Sequence, residues 1–187
     1  LRIKDLSTLI ADDKQPAAAI TDTNNMFGAL EFAQTLSGAG IQPIMGTQIN
    51  LKDTQGQGEV VLLAKNEIGY VNLSKLLSKT LLEAEAAHDP ACLLDDLAVH
   101  SDGLLLLTGG ALAGFVGGPA GDGRPGLAMS RARQLSEMMG DRIYVELQRH
   151  GLVVEKAAEP CLLDIADQLN LPLVATNDCR FENAEMS

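Results

Sequence analysis

Several short polar stretches in this chain each follow an apolar run. Thr21-Asp22-Thr23-Asn24-Asn25 follows 17–20, and Thr47, Gln48 and Asn50 close the run from 41. Thr108-Gly109-Gly110 follows 103–107, Gln148-Arg149-His150-Gly151 follows 142–147, and Asn177-Asp178-Cys179-Arg180 follows 171–175. If the runs are strands of an α/β protein, these stretches lie at the carboxyl ends, where such folds place their chemistry. Metal-assisted hydrolysis would need several His, Asp, Glu or Cys ligands together. The stretches offer Asp22, Asp178 and His150, with Asn and Gln as weak neutral donors. Arg180 adds a fixed positive charge that opposes a cation. Asp178 and Arg180 are two apart, so on extended backbone they point to the same side.

The elements that would position these residues alternate along the chain. Ile3, Leu6, Leu9 and Ile10 share a helical face, and Pro16 ends that helix. Residues 17–20 read as a short buried strand. Residues 26–39 read as a helix with Phe27, Leu30, Phe32, Ala33 and Leu36 mostly inward and Gly40 as its stop. Strands are expected at 41–49 and 60–64, separated by a polar turn at 55–58. Residues 67–82 form a strong helix pattern, 83–89 an acidic connection and 93–99 a short helix. The continuous apolar run 103–107 is of the type buried on both faces of a parallel sheet. Residues 109–126, rich in Gly and Pro, read as the longest and most mobile loop. A helix at 127–139, a strand at 142–147, a helix at 154–169 kinked or starting late at Pro160, and a strand at 171–175 complete the pattern. About six strands alternating with helices predict parallel α/β architecture, as an open sheet or a barrel. No fixed-period repeat and no dividing linker appear, so 1–187 reads as a single domain.

Composition excludes some functions. The chain has 187 residues, 46% of them hydrophobic, which suits a packed core rather than a disordered tail. Lys plus Arg is 14 against 25 Asp plus Glu, a formal charge of −11. Polyanions bind through Lys and Arg, and single strands stack on aromatic rings, here 3% of residues, so direct nucleic-acid binding is not expected. The acidic surface suits a basic protein partner or a cation. Cys92, Cys161 and Cys179 are odd in number and form no C-x-x-C, which points to reduced thiols in a cytoplasmic protein. The apolar runs are too short to span a bilayer, and Asp5, Asp12 and Asp13 argue against a signal peptide. The chain starts without Met and inside a helical pattern, which reads as a piece of a longer protein.

Six ordered blocks carry a resemblance. They are Ile20-Thr21-Asp22, Asn25 through Phe32, Gly40 through Gly46, Leu62 through Asn66 with Gly69-Tyr70 and Asn72-Leu73, Glu146 through Gly151, and Leu171 through Asp178. In this order they resemble the N-terminal polymerase-and-histidinol-phosphatase (PHP) domain of the bacterial DNA polymerase III alpha subunit. The resemblance spans nearly the whole chain and weakens at 83–97 and 111–126. It implies a distorted seven-stranded (β/α)7 barrel, here truncated at both ends, with a His-x-His first strand upstream of Leu1. In metal-binding relatives a trinuclear rim site hydrolyses phosphoesters. The matching rim positions here are Asp22, Thr23, Gln48, Gly110, Asp178 and Arg180, with His150 as a further rim position. Asp22 and Asp178 keep the pattern. Thr23 stands for His, Gln48 for Glu, Gly110 for Cys or His, and Arg180 for His.

The expectation is therefore a degenerate site with no catalytic residues, no cofactor and no intact metal centre. Arg180 is expected to occupy part of the metal space and pair with Asp22 or Asp178. The implied role is structural, within a replicative DNA-directed DNA polymerase (a nucleotidyltransferase). The implied partners are the proofreading exonuclease subunit, the other polymerase III core subunits and the rest of the alpha chain, with no membrane. The rival reading is an active phosphoesterase with Zn or Mn at the rim, acting as a 3′–5′ exonuclease or pyrophosphatase. A metabolic α/β enzyme unrelated to this family is a second rival. Residue by residue, Asp22 and Asp178 read more readily as caps or loop anchors, and His150 as a hydrogen-bonded turn residue. His88 falls in the weakly aligned connection and His100 reads as a surface turn residue. The glycine-rich loop lacks G-x-x-x-x-G-K-[ST] and does not read as a phosphate cradle. Cys179 reads as a buried, inert thiol.

Overall fold

The computed structural model describes residues 2–84, 90–177 and 179. In chain order the elements are α1 (Ile3–Asp12), β1 (Ala17–Ile20), α2 (Ala29–Gly38), β2 (Gln42–Asp53), β3 (Gly56–Ala64), α3 (Glu67–Glu83) and β4 (Ala91–Leu93). Then come α4 (Leu94–Val99), β5 (Leu104–Leu107), α5 (Gly117–Gly121), α6 (Pro125–Met139), β6 (Ile143–Leu147), α7 (Val153–Leu169) and β7 (Leu173–Ala175). Helix α7 begins at Val153 and continues through Pro160, so no late start occurs.

The strands form one sheet in the order β1-β2-β3-β5-β6-β7, with β4 beside β2. Pairs β1/β2, β2/β4, β5/β6 and β6/β7 are parallel. Strand β3 runs antiparallel to both β2 and β5, which corrects the all-parallel expectation. Only Thr54 and Gln55 join β2 to β3, too few residues for a crossover, so the two must form a hairpin. Asp53 Oδ1 accepts the Gln55 N–H at 2.7 Å and shapes that turn. The sheet is curled: Cys179, just past β7, lines the same cleft as Ala19 to Thr23 at the end of β1. Strand β1 pairs only with β2 among the described residues and is partly exposed rather than buried.

Two apolar clusters sit outside the curl. Ile10, Phe32, Leu36 and Ile41 join α1 and α2 to the start of the sheet. The larger cluster joins the remaining helices to β2, β3, β5 and β6 through residues such as Leu62, Leu76, Leu106, Leu135 and Ile165. Phe32 and Leu36 are inward as the periodicity predicts. Phe27 is 91% exposed and Leu30 70% exposed, contrary to it. Helix α2 starts only at Ala29. Before it, Asn25 accepts the Phe27 N–H at 3.2 Å and donates to the Thr23 carbonyl at 2.9 Å, a side-chain turn that precedes the helix. Leu104 and Leu106 are fully buried, whereas Leu105 and Leu107 are half-buried, so β5 is not covered equally on both faces.

The segment 109–126 is not an open loop. Phe115 and Val116 are completely buried, and α5 packs on α7. The Glu59 N–H donates to the Ala113 carbonyl, and the Phe115 N–H to the Glu59 carbonyl, each at 2.8 Å. A Cβ at Gly114 would lie 2.3 Å from the Gly109 carbonyl carbon, and one at Gly58 would lie 2.6 Å from Phe115 Cα. The glycines serve close backbone packing here, which local composition does not distinguish from flexibility. Arg131 of α6 fixes this segment to the hairpin. Its guanidinium donates to both Asp53 oxygens, at 2.8 and 3.0 Å, and to the Phe115 carbonyl at 3.0 Å.

Candidate functional site

The structure joins the end of β1 to the middle of β2. Thr23 and Gln48 form an isolated parallel bridge. The Thr47 hydroxyl donates to the Asp22 carbonyl at 2.7 Å, the Gln48 N–H to the same carbonyl at 3.2 Å, and the Asn24 N–H to the Gln48 carbonyl at 2.9 Å. Asp22, Thr23 and Gln48, expected at one rim, therefore come together. With Thr21, Gly28 and Cys179 they line a cleft of about 610 Å³. Cys179 is exposed and lines the cleft, which corrects the expected buried thiol. Asn24, at a φ of 55°, has a buried side-chain oxygen without a hydrogen-bond partner.

Gln48 also lines a smaller cavity of about 210 Å³ with Glu59, Gly110, Glu146 and Gln148, so the two halves of the rim meet at this side chain. The smaller cavity is organised by Glu146, which is 3% exposed. Glu146 Oε2 accepts the Gly109 N–H at 3.1 Å, and Oε1 accepts Gln148 Nε2 at 3.1 Å and the Thr176 hydroxyl. The Glu146 N–H donates to Thr108 Oγ1 at 3.0 Å. These bonds connect the ends of β5, β6 and β7. Sequence reasoning named Thr108 and Gln148 as strand-end polar residues but missed Glu146 and Thr176. A signal was present: Tyr144, Glu146 and Gln148 alternate on one strand face, opposite Ile143, Val145 and Leu147.

His150 stands apart from both cavities. Its Nδ1 lies 2.7 Å from Glu155 Oε1, and Glu155 Oε2 accepts the Leu152 N–H at 3.0 Å. Burial pushes the Glu155 carboxyl up, but the His150 ring and the Leu152 N–H together hold it below the usual glutamate range. This is the turn-residue reading of His150: it braces the start of α7. Asp178, Arg180 and His88 lie outside the described residues, and with them the expected Arg180 pairing.

Among the described residues no group of three or more His, Cys, Asp or Glu lies together to hold a metal ion. The donor chemistry agrees. Thr23 and Gln48 offer neutral oxygens, Gly110 offers no side chain, and both Glu146 oxygens are taken by hydrogen bonds. A Cβ on Gly110 would fall 2.1 Å from Gln148 Oε1. Thr23, Gln48 and Gly110 thus lack the ligand types that the resemblance implies at their positions, while Asp22 keeps a carboxylate at the same cleft.

The PHP domain family model matches residues 1–150. The chain belongs to the PHP domain family. Among its sequence relatives are DNA polymerase III alpha subunits. It is 39% identical to DNA polymerase III subunit alpha of Caulobacter vibrioides, over 97% of this chain and 16% of that protein. It is 37% identical to the Rickettsia bellii subunit, over 95% and 15% respectively. It is 35% identical to the Pseudomonas aeruginosa subunit, over 99% and 16%. The PHP chain thus spans about a sixth of the length of these relatives. Its fold resembles the crystal structure of a protein assigned as a metal-dependent phosphoesterase from Bifidobacterium adolescentis. The TM-score is 0.61 at 14% identity, covering 94% of this chain and 81% of the other. The PHP architecture, a curled mixed α/β sheet, is the one the sequence blocks imply. No helix among the described residues is long and apolar enough to cross a membrane.

Proposed function

We propose that this PHP chain is a non-catalytic module of a DNA polymerase III alpha subunit, with a degenerate metal site. Its role is to brace the polymerase core and to dock the separate proofreading exonuclease subunit in the cytoplasm. The observation that carries the non-catalytic reading is the filled space at Gly110, where a ligand side chain would have to stand. Hydrolysis of a phosphoester at this rim would require metal ions to activate water and to bind the phosphate oxygens, and the described side chains do not supply the anionic ligand set. Replication, polymerase and transferase roles reside in the remainder of such a protein. The net charge of −11 favours a basic protein surface over nucleic acid as the direct partner of this module.

The test uses the full-length alpha subunit carrying this sequence. Elemental mass spectrometry should find no stoichiometric Zn, Mn or Fe, and a co-elution assay should show the exonuclease subunit binding. Two or three metals per chain, with metal-dependent release of nucleotides from a DNA 3′ end, would instead establish the phosphoesterase. Metal-free protein that does not retain the exonuclease would leave only the bracing role.

A further inference from the structure

We infer that the Gln148 side chain is a plug that closes the rim at Gly110, and that in doing so it completes a hydrogen-bonded clamp across β5, β6 and β7. This rests on the reading of a rim without metal, and it adds a specific occupant for the vacated ligand position.

The three atoms nearest to a Cβ built on Gly110 all belong to Gln148: Oε1 at 2.1 Å, Cδ at 2.6 Å and Nε2 at 3.0 Å. A side chain at 110 and the present Gln148 rotamer are therefore mutually exclusive. Gln148 is not free to swing aside without loss. Its Nε2 donates to Glu146 Oε1 at 3.1 Å and lies 3.4 Å from Thr176 Oγ1. Glu146 is buried, and a polar group in that position depends on its hydrogen-bond partners. Its other oxygen is held by the Gly109 N–H at 3.1 Å, while the Thr108 hydroxyl accepts the Glu146 N–H. Expelling Gln148 removes one of three donors to the carboxyl group and loosens the link from residue 109 to residue 176. The clamp thus joins three strand ends through the buried Glu146 carboxyl group and its three donors, Gly109, Gln148 and Thr176. Any residue at 110 long enough to ligate a metal would displace the plug.

The backbone makes the idea testable. Gly110 does not have a positive φ, so Gly110→Ala adds a Cβ without backbone strain, and its cost reports the contact with Gln148. Gly109 is the control: its φ is +81° and its Cβ would lie 2.1 Å from the Glu59 carbonyl oxygen, a backbone clash that no change at 148 relieves. The experiment is hydrogen exchange read by mass spectrometry on the full-length protein, in peptides containing Gly109 and Glu146. Gly110→Ala and Gln148→Ala should each speed exchange roughly tenfold, the scale of one hydrogen bond. The double variant should be no faster than Gln148→Ala alone, because the added methyl then enters vacated space. Gly109→Ala should stay fast in the Gln148→Ala background. Unchanged exchange in Gly110→Ala, or effects of 110 and 148 that multiply, would overturn the plug. Gln148→Ala removes atoms and adds none, so it reports even if Gly110→Ala does not fold. Metal content of the same wild-type sample separates the two failures: bound metal overturns the metal-free reading, and multiplying effects without metal overturn only the plug.

Discussion

Replacing Arg131 with Met tests whether the hairpin and the glycine-rich segment are held by one buried cation. The Arg131 side chain is 4% exposed, and Asp53, its partner, 14%. Met keeps most of the aliphatic stem but removes three donated bonds, two to Asp53 and one to the Phe115 carbonyl. It also removes the guanidinium stacked 4.1 Å from the Phe115 ring centre. Deleting one partner of a buried ion pair costs about 3–5 kcal/mol, mainly by stranding the other charge. Asp53 retains the Gln55 N–H and some solvent, which places the expected loss near the lower end, about 3 kcal/mol. For a domain of this size that corresponds to roughly 6–12 °C in Tm. The pair should also show in the pH dependence. Burial raises the Asp53 carboxyl, but Arg131 and the Gln55 N–H outweigh it and hold the carboxyl below its ordinary value. A depressed carboxylate contributes stability above its unfolded pKa, near 3.9, and loses it as pH falls through the folded value. The gap between wild type and Arg131→Met should therefore be full at pH 7 and shrink below about pH 4. Urea denaturation of both proteins at pH 7 and pH 3 measures it. A loss under about 1 kcal/mol at pH 7 would refute the reasoning, as would a gap that widens in acid.

Other consequences follow from the same geometry. Gly69→Ala should destabilise severely, because its Cβ would fall 1.9 Å from the Gly103 carbonyl oxygen where α3 meets the turn before β5; loss of soluble protein or a Tm drop of several degrees checks it. His150→Ala should cost about 1 kcal/mol, the scale of one hydrogen bond, since Glu155 keeps the Leu152 N–H; thermal unfolding reads it, without change in any rim chemistry. The Glu155 contribution should be present above about pH 4.3 and fade as pH falls through its depressed pKa. Alkylation at pH 8 should label exposed Cys179 first. Burial pushes the Cys92 thiol up to about 12, so it should stay unlabelled until the protein unfolds; peptide mass spectrometry distinguishes them.

Most of the order of helices and strands, β4 and α5 excepted, and the polar stretches at the strand ends, Asp22, Thr23, Gln48 and Gly110 among their positions, were legible from the chain because each is a local matter. Apolar spacing reports which residues of a segment share a face, and a polar stretch after an apolar run reports a strand end. The residue types at these positions were legible for the same reason: Gln48 is a Gln whatever surrounds it. Periodicity does not say which segment will cover a face. Phe27 and Leu30 fit a helical stripe yet face outward: Phe27 precedes α2, and Leu30 lies in its first turn on the side that no other described segment covers. Residues 109–126 have the composition of a mobile loop, yet Phe115 and Val116 are core. Strand β3 reverses direction because its two-residue link to β2 allows nothing else. The Glu146 clamp, the Gln148 amide in the space of residue 110, and the Arg131–Asp53 pair each join residues distant in the chain. Their existence depends on atoms brought within about 3 Å by packing, which no local pattern encodes. Sequence alone determined the family, most of the element order and the residue types at the rim; tertiary structure decided which side chains and backbone meet there.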